Sequence, residues 1–233
     1  MNPLLRRAAA ELLGTAFLVA VVVGSGIMAV RLSPNDVGLQ LLENSLATGA
    51  GLVALILAFG SVSGAHFNPV VSLVDWRLGG LDGRELGVYS VAQVAGACLG
   101  CMLANVMFEI AAIDVSTKVR SGSGLFVSEI IATVGLLLVI IGTGRTERRA
   151  TPFAVGAYIA AAYFFTSSTS FANPAVTIGR TLSNTFAGIA PESVPAFVGA
   201  QVIGAVVALG LIALLFTSVD ADDVVVPHEA ELS

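Results

Sequence analysis

Long apolar runs alternate with short polar or glycine-rich stretches along the whole chain. Six runs are long enough to span a bilayer, near residues 8–30, 44–62, 86–108, 125–143, 152–169 and 196–217. Charged residues lie almost wholly between the runs. The exceptions are Glu11 and Glu129, each in the opening turns of a run. This pattern predicts an all-α membrane protein with six transmembrane helices.

The two halves of this pattern carry the same polar residues at matching places, which predicts repeats at 8–108 and 125–217. Each half has a glutamate opening its first span, an Asn-Pro pair after its second and a glutamine in its third: Glu11, Asn68 and Gln93, then Glu129, Asn173 and Gln201. Because each half has an odd number of spans, the halves have opposite orientations. Inverted repeats with interrupted helices indicate a binding or conduction site near the membrane midplane.

Each Asn-Pro pair predicts a helix that starts inside the membrane. Asn is a good N-cap, and Pro fits the first helical position. Helices from Asn68 to about Leu78 and from Asn173 to about Ser183 would each rise ~15 Å, half of the ~30 Å core. The alternative is an ordinary turn at each pair, which the matched placement disfavours.

The two predicted caps would meet at one level of a pore. Each Asn side-chain oxygen accepts a bond from its own half-helix, which leaves the NH₂ donors facing the pore. The positive helix ends converge at the same level. This arrangement favours uncharged, hydroxyl-bearing permeants over cations.

Composition and charge agree with a membrane protein. The chain is 56% hydrophobic and 12% charged, about half the usual ~25% of soluble proteins. The formal charge is −5, but five acidic residues lie in the last fourteen positions, so residues 218–233 are predicted to form an acidic cytoplasmic tail. Net charge therefore indicates no nucleic-acid partner, and the partners expected are the lipid bilayer and small solutes.

The basic residues predict the orientation. With the N-terminus inside, seven arginines are cytoplasmic and four basic residues are outside, which favours cytoplasmic N- and C-termini. The histidines and cysteines show no metal-ligand spacing and no nucleophile–base pair. We therefore expect no enzyme activity, no metal and no cofactor.

These motifs resemble those of the aquaporin and glycerol-facilitator family. The resemblance is carried by Ser63-Gly64-Ala65-His66-Phe67-Asn68-Pro69-Val70, by Asn173-Pro174-Ala175, and by the paired Glu and Gln residues. It implies an aquaporin-like channel domain over residues 1–217, with two re-entrant half-helices meeting at the midplane. It also implies a homotetramer with one pore per subunit, in the bacterial inner membrane. Glu11 and Glu129 would support the re-entrant loops by accepting backbone N–H bonds.

The same resemblance identifies the pore-lining positions. Val176 stands where water-selective relatives have Arg, and Val70 replaces Ala after the first Asn-Pro. The other filter positions are carried over to Thr48, Ser170 and, on the fifth span, Tyr163 or Ala161; we prefer Tyr163. Val176 makes the chain similar to bacterial aquaglyceroporins linked to arsenic resistance. That similarity implies uncharged metalloid acids such as arsenite, methylated arsenicals and glycerol-like polyols as permeants.

Three further polar residues have two interpretations each. Arg180 shares a helix face with Asn173 and Val176, so it either forms a displaced outer filter or extends to the external surface. His66 is a candidate for pH gating or a neutral hydrogen-bonding residue of the pore wall. Asp75 either lies at the cytoplasmic mouth or, as we prefer, pairs with Arg77 in solvent.

The leading prediction is a passive channel for small uncharged solutes. One alternative is a water or glycerol facilitator without metalloid specialisation. A second is an ion-coupled transporter, which could also use broken helices. The transporter is disfavoured because no midplane Asp or Glu is available to carry a coupling proton, since Glu11 and Glu129 lie near the span ends.

Overall fold

The computed structural model describes residues 2–216, so the predicted acidic tail lies outside the described residues. The described chain is all-helical. Its α-helices are α1 Pro3–Leu32, α2 Val37–Ser63, α3 Pro69–Leu78, α4 Gly83–Met107, α5 Ser123–Thr146, α6 Thr151–Phe165, α7 Pro174–Gly179 and α8 Val194–Leu215. Five of these are long and apolar enough to cross a membrane, and α6, at the place of the fifth predicted span, has 15 residues.

Three of the long helices, α1, α2 and α4, begin at side-chain caps. The Asn2 side chain accepts a bond from Leu4 N in front of Pro3, and the Asp36 side chain accepts one from Leu39 N. Helix α2 therefore starts seven residues before the predicted 44. The sequence prediction placed the start too late because Gln40, Glu43 and Asn44 are polar. The structure bonds all three to the C-terminal half of α1 or to Ser33 after it: Gln40 to Ser33 O, Glu43 to Ser33 Oγ, and Asn44 to Val22 O and Ser25 Oγ.

The half-helices differ in length, contrary to the sequence prediction. Helix α3 has 10 residues, but α7 has only 6 and continues as a single 3₁₀ turn at Arg180–Leu182. At the end of α7 the backbone of Gly179 packs so closely on α4 that an added Cβ would lie 2.7 Å from the Ala97 carbonyl carbon. This contact leaves no room for a side chain where α7 ends.

The core lies between the two repeats. Helix α1 packs mainly on α4 and α2, and α5 packs mainly on α8 and α6, so the two halves have the same arrangement. Both half-helices contact α4 and α8, one span from each repeat. Large apolar side chains also remain exposed on the outer faces of the long helices, as at Phe17, Leu57, Leu99, Ile131 and Val206. Such faces suit contact with lipid.

Candidate functional site

The re-entrant loops are held by the two buried glutamates. Glu11 accepts backbone bonds from His66 N at 3.0 Å and Phe67 N at 2.7 Å. Glu129 accepts from Phe171 N and Ala172 N, both at 2.9 Å. Each carboxylate is fully buried and takes a further bond from the glutamine of its own repeat, Gln93 or Gln201. These bonds satisfy backbone groups that have no helical partner inside a membrane.

The backbone before each Asn adopts left-handed conformations at matched positions. Ala65 and Phe67 have φ of 50° and 49°, and Ser170 and Ala172 have φ of 50° and 46°. Such φ values are uncommon for residues other than glycine. Here they turn successive N–H groups toward one point, forming a concavity that suits an anion. The carboxylates of Glu11 and Glu129 occupy the two concavities.

The two Asn side chains cap their helices and also join the halves. Asn68 Oδ1 accepts from Val70 N at 3.1 Å, and Asn173 Oδ1 accepts from Ala175 N at 3.0 Å. Asn68 Nδ2 donates to Ala172 O at 2.8 Å, while Asn173 Nδ2 donates to Phe67 O at 2.7 Å. The expectation that the NH₂ donors face the pore is therefore wrong for one N–H of each amide. One N–H of each amide is used across the midplane, and one remains for a permeant.

A single cavity runs past both Asn residues, and eight of the nine predicted pore residues line it: Thr48, His66, Asn68, Tyr163, Ser170, Asn173, Val176 and Arg180. Val70 does not line it, and Val71 does. The reason is helical geometry, because Val71 follows Asn68 by three residues and shares its face, whereas Val70, two residues after Asn68, lies on another face and is buried.

The half of the cavity beside α7 holds most of the predicted filter. Tyr163 is buried with its hydroxyl 3.1 Å from Thr48 Oγ1, while Ala161 lies on the exposed face of α6. Ser170 Oγ is buried and has no hydrogen-bond partner among the described residues. Val176 adds an apolar surface. This half therefore combines hydroxyl groups with apolar walls.

Arg180 lines the same half and does not extend to the surface. It is 3% exposed, Nε donates to Ala187 O, and Cζ lies 3.5 Å from the centroid of the Phe171 ring. Arg120 stacks over the same ring at 5.1 Å. The guanidinium is thus fixed by a carbonyl and an aromatic face at the α7 end of the cavity.

The interpretation that Asp75 pairs with Arg77 in solvent is wrong. Asp75 is 1% exposed, so it is not a solvated partner of Arg77, which is exposed beside Trp76. Asp75 Oδ2 lies instead 3.6 Å from His66 Nε2.

Sequence reasoning also missed Ser72 and Thr177, each four residues after an Asn, which accept bonds from Gln93 and Gln201. The matched spacing in the two repeats was the signal that could have found them.

Comparison with known proteins agrees with this architecture. A family model described as "Major intrinsic protein" matches residues 2–170. The chain is 52% identical over 208 residues to the "Aquaglyceroporin AqpS" of Rhizobium meliloti, with 89% of each chain covered. It is 32% identical over 237 residues to the "Probable aquaporin AqpM" of Archaeoglobus fulgidus, covering 89% of this chain and 96% of that relative. The fold matches the X-ray structure of the aquaglyceroporin from Plasmodium falciparum with a TM-score of 0.70 and 23% identity, covering 91% of this chain and 96% of that chain.

Proposed function

The chain belongs to the major intrinsic protein family. We propose that it is a passive channel for small uncharged solutes of two kinds. The first are metalloid acids, such as arsenite and methylated arsenicals, and the second are glycerol-like polyols. Family membership supports a multi-pass membrane channel and not an enzyme. The observation that carries the substrate proposal is Val176 on the cavity wall, in a half that also offers Ser170 Oγ.

The wall chemistry supports this choice of solute. Thr48, Tyr163 and Ser170 supply hydroxyl groups that can exchange bonds with a polyhydroxylated solute. Val176 contributes apolar surface at a position where a fixed charge would stabilise water and small polar solutes. A neutral solute with several hydroxyls and an apolar or bulky centre loses less by leaving water here than an ion does. An ion-coupled transporter is not favoured, because Glu11 and Glu129 are already used by the loops.

Arg180 acts in this proposal as a displaced outer filter. Its guanidinium lines the α7 end of the cavity one turn beyond Val176 and keeps donors besides the Nε–H bonded to Ala187 O. A fixed cation at this level opposes cations and donates to hydroxylated solutes. Replacing Arg180 with Ala should admit cations and lower solute selectivity. Arg180→Lys keeps the charge but not the fork of donors, so it separates the two effects.

The rest of the proposal concerns assembly and placement. Residues 1–217 form one channel domain of two inverted repeats, followed by a cytoplasmic tail at 218–233. Both termini are cytoplasmic in the bacterial inner membrane, which the excess of arginines on that side supports. Four copies form a homotetramer, in keeping with the apolar side chains exposed on the outer helix faces.

The test compares permeants side by side. Proteoliposomes containing the wild type or Val176→Arg are mixed in a stopped-flow instrument with solutions that impose an osmotic, a glycerol or an arsenite gradient. The rate of vesicle volume change gives the flux of water, glycerol or arsenite. We expect the wild type to pass glycerol and arsenite, and Val176→Arg to lose most of that flux while keeping water flux. Rapid water flux without solute flux in the wild type would overturn the substrate proposal. Flux that collapses with an uncoupler would favour a transporter.

A further inference from the structure

Asp75 on α3 is a buried carboxylate that the pathway described above does not use. It is 1% exposed and does not line the cavity. Neither of its oxygens accepts a hydrogen bond within the described residues 2–216. A buried carboxylate is costly unless a donor or a proton compensates it. The imidazole of His66 faces it, with Nε2 3.6 Å from Oδ2.

The other nitrogen of His66 is also directed into the protein. Nδ1 lies 2.9 Å from Ser72 Oγ, which accepts a bond from Gln93 Nε2 at 3.0 Å. Because the Ser72 oxygen already accepts from Gln93, we assign its own hydrogen to the bond with Nδ1, which assigns the ring proton to Nε2, toward Asp75. Although His66 belongs to the cavity wall, its side chain is only 1% exposed. Nε2 is buried and Nδ1 is paired with Ser72, so neither ring nitrogen is open to the cavity.

The other repeat contains the same arrangement with different chemistry. Phe171 precedes Asn173 by two residues, as His66 precedes Asn68, and Arg180 follows Asn173 by seven, as Asp75 follows Asn68. Arg180 lies 3.5 Å from the Phe171 ring centroid. In each half a charged side chain seven residues after the Asn lies against an aromatic ring two residues before it. The Phe171 ring has no polar atom. The His66 ring has two nitrogens, so it is apolar toward the lumen only while both nitrogens point into the protein.

We propose that Asp75 is a positioning residue that determines specificity, because it keeps the Nε2–H of His66 away from the lumen. The proposal rests on the proposed channel function and concerns the same cavity. If the Nε2–H group of His66 turned into the lumen, it would bind water and favour the passage of small polar solutes. An imidazole released into a wet lumen would also gain and lose a proton near neutral pH. Asp75 thus keeps the α3 half apolar and its permeability independent of pH.

Other charged and aromatic groups surround Asp75 and His66, and they must be considered when a variant of Asp75 is interpreted. Arg7 of α1 and Glu85 of α4 form a 2.7 Å ion pair, and both interact electrostatically with Asp75. Tyr89 of α4 packs edge-on against the His66 ring, with centroids 5.4 Å apart. Glu11 shares the Gln93 amide. These groups remain in every variant of Asp75, so replacing His66 as well is what assigns a new pH dependence to the imidazole.

Two substitutions separate positioning from packing. Asp75→Leu removes the polar oxygens that face Nε2 at similar size, while Asp75→Asn keeps one such oxygen. Water and glycerol permeabilities are measured in proteoliposomes from about pH 5.5 to about pH 8. We expect the permeabilities of the wild type and Asp75→Asn to be independent of pH, because a carboxyl group, protonated or not, and an amide each keep an oxygen facing Nε2. Asp75→Leu should raise the water-to-glycerol permeability ratio at least about twofold and make it pH-dependent.

A third variant assigns the effect to the ring. Adding His66→Phe to Asp75→Leu gives this half the residue found in the other half, and the pH dependence should disappear. Asp75→Leu permeabilities that equal the wild type, or that fall uniformly at every pH, overturn the proposal. A uniform fall is what a packing role alone would give.

A spectroscopic measurement tests the wild type directly. The chain has two histidines, His66 and His228, so ¹⁵N-histidine labelling of the full-length protein gives two sets of signals, assigned with His228→Ala. We expect His66 to be protonated at Nε2. A neutral His66 with its proton on Nδ1 overturns the proposal, even if Asp75→Leu fails to fold. Absence of solute flux in the wild type would instead defeat the proposed function and leave this test standing.

Discussion

At the scale of single residues, the fully buried carboxylates determine whether the re-entrant loops can exist. Glu129 accepts two backbone N–H bonds and one from Gln201. Bonds to a charged acceptor are stronger than neutral ones. Without them, the backbone N–H groups of Phe171 and Ala172 would be unpaired inside a membrane.

Replacing Glu129 with Gln should destabilise the protein. Gln has one acceptor oxygen, and its NH₂ group would face backbone donors. We expect a loss of roughly 2–4 kcal/mol in the free energy of unfolding. The measurement is the unfolding midpoint in detergent, together with glycerol flux. Glu192→Gln is the matched control, since Glu192 is exposed before α8. Equal stability of the Glu129 variant and the control would contradict the support role.

Lys118, in the loop between α4 and α5, provides a pH prediction. Its Nζ donates to Phe186 O at 2.8 Å. Burial, followed by repulsion from Arg120 and Arg180, lowers the pKa of Lys118 from 10.5 to about 8. The ammonium should therefore lose its proton as pH rises through about 8, which is well below the ordinary pKa of lysine. The positive charge of the loop between α4 and α5 falls as it does so. Well below that pH, Lys118 keeps its positive charge.

Lys118 is the only lysine, so amine labelling followed by mass spectrometry can titrate it alone. We expect half-maximal reactivity of this site near pH 8. Arg120→Gln removes a neighbouring positive charge and should move the midpoint upward. A midpoint at the ordinary lysine value in the wild type would show that the loop does not pack as described.

At the scale of elements, the contact between α1 and α4 depends on two glycines. A Cβ at Gly96 would lie 2.2 Å from Leu12 O, and one at Gly100 would lie 2.0 Å from Ala16 O. These neighbours are backbone atoms, so the helices could accept a side chain only by separating. Small residues at this spacing allow close packing of helices in lipid.

Gly100→Ala should therefore lower stability, although alanine favours helix. We expect roughly 1–3 kcal/mol of destabilisation from overpacking. Gly87→Ala lies in the same helix with no heavy atom within 4 Å of its added Cβ, so it should be neutral or slightly stabilising. Thermal unfolding of the two variants in one detergent compares them. Equal melting temperatures would mean that α1 and α4 are not in this contact.

At the scale of the whole molecule, the two repeats are joined by a reciprocal pair of hydrogen bonds. Asn68 bonds to the loop of the second repeat and Asn173 to the loop of the first. Each bond positions the loop that the other bond needs. The pair therefore acts as one connection across the midplane.

Asn68→Ala and Asn173→Ala should each cost about 1–3 kcal/mol, because each leaves a helix end and a carbonyl unsatisfied. The double variant should cost less than the sum, since the second bond has little left to hold once the first is lost. Denaturant unfolding of the four proteins in the cycle measures the coupling. Strict additivity would show that the two bonds act independently.

Most of the architecture could be predicted from the sequence. The apolar runs, the two Asn-Pro pairs and the matched Glu and Gln residues predict an inverted repeat with half-helices, because chain hydropathy and helix capping are local properties. The boundaries were less accurate. Polar residues at the start of α2 are bonded to α1, a partner that hydropathy alone does not show.

The tertiary structure decided what each polar side chain does. Whether Arg180 lines the cavity or reaches the surface depends on the 3₁₀ turn after α7 and on the Phe171 face. Asp75 was expected in solvent and is buried beside His66, because α3 packs between spans of both repeats. Local pattern determines where a helix starts and which face is apolar. Only the packing of distant segments determines which atoms meet inside the pore, and those contacts set its chemistry.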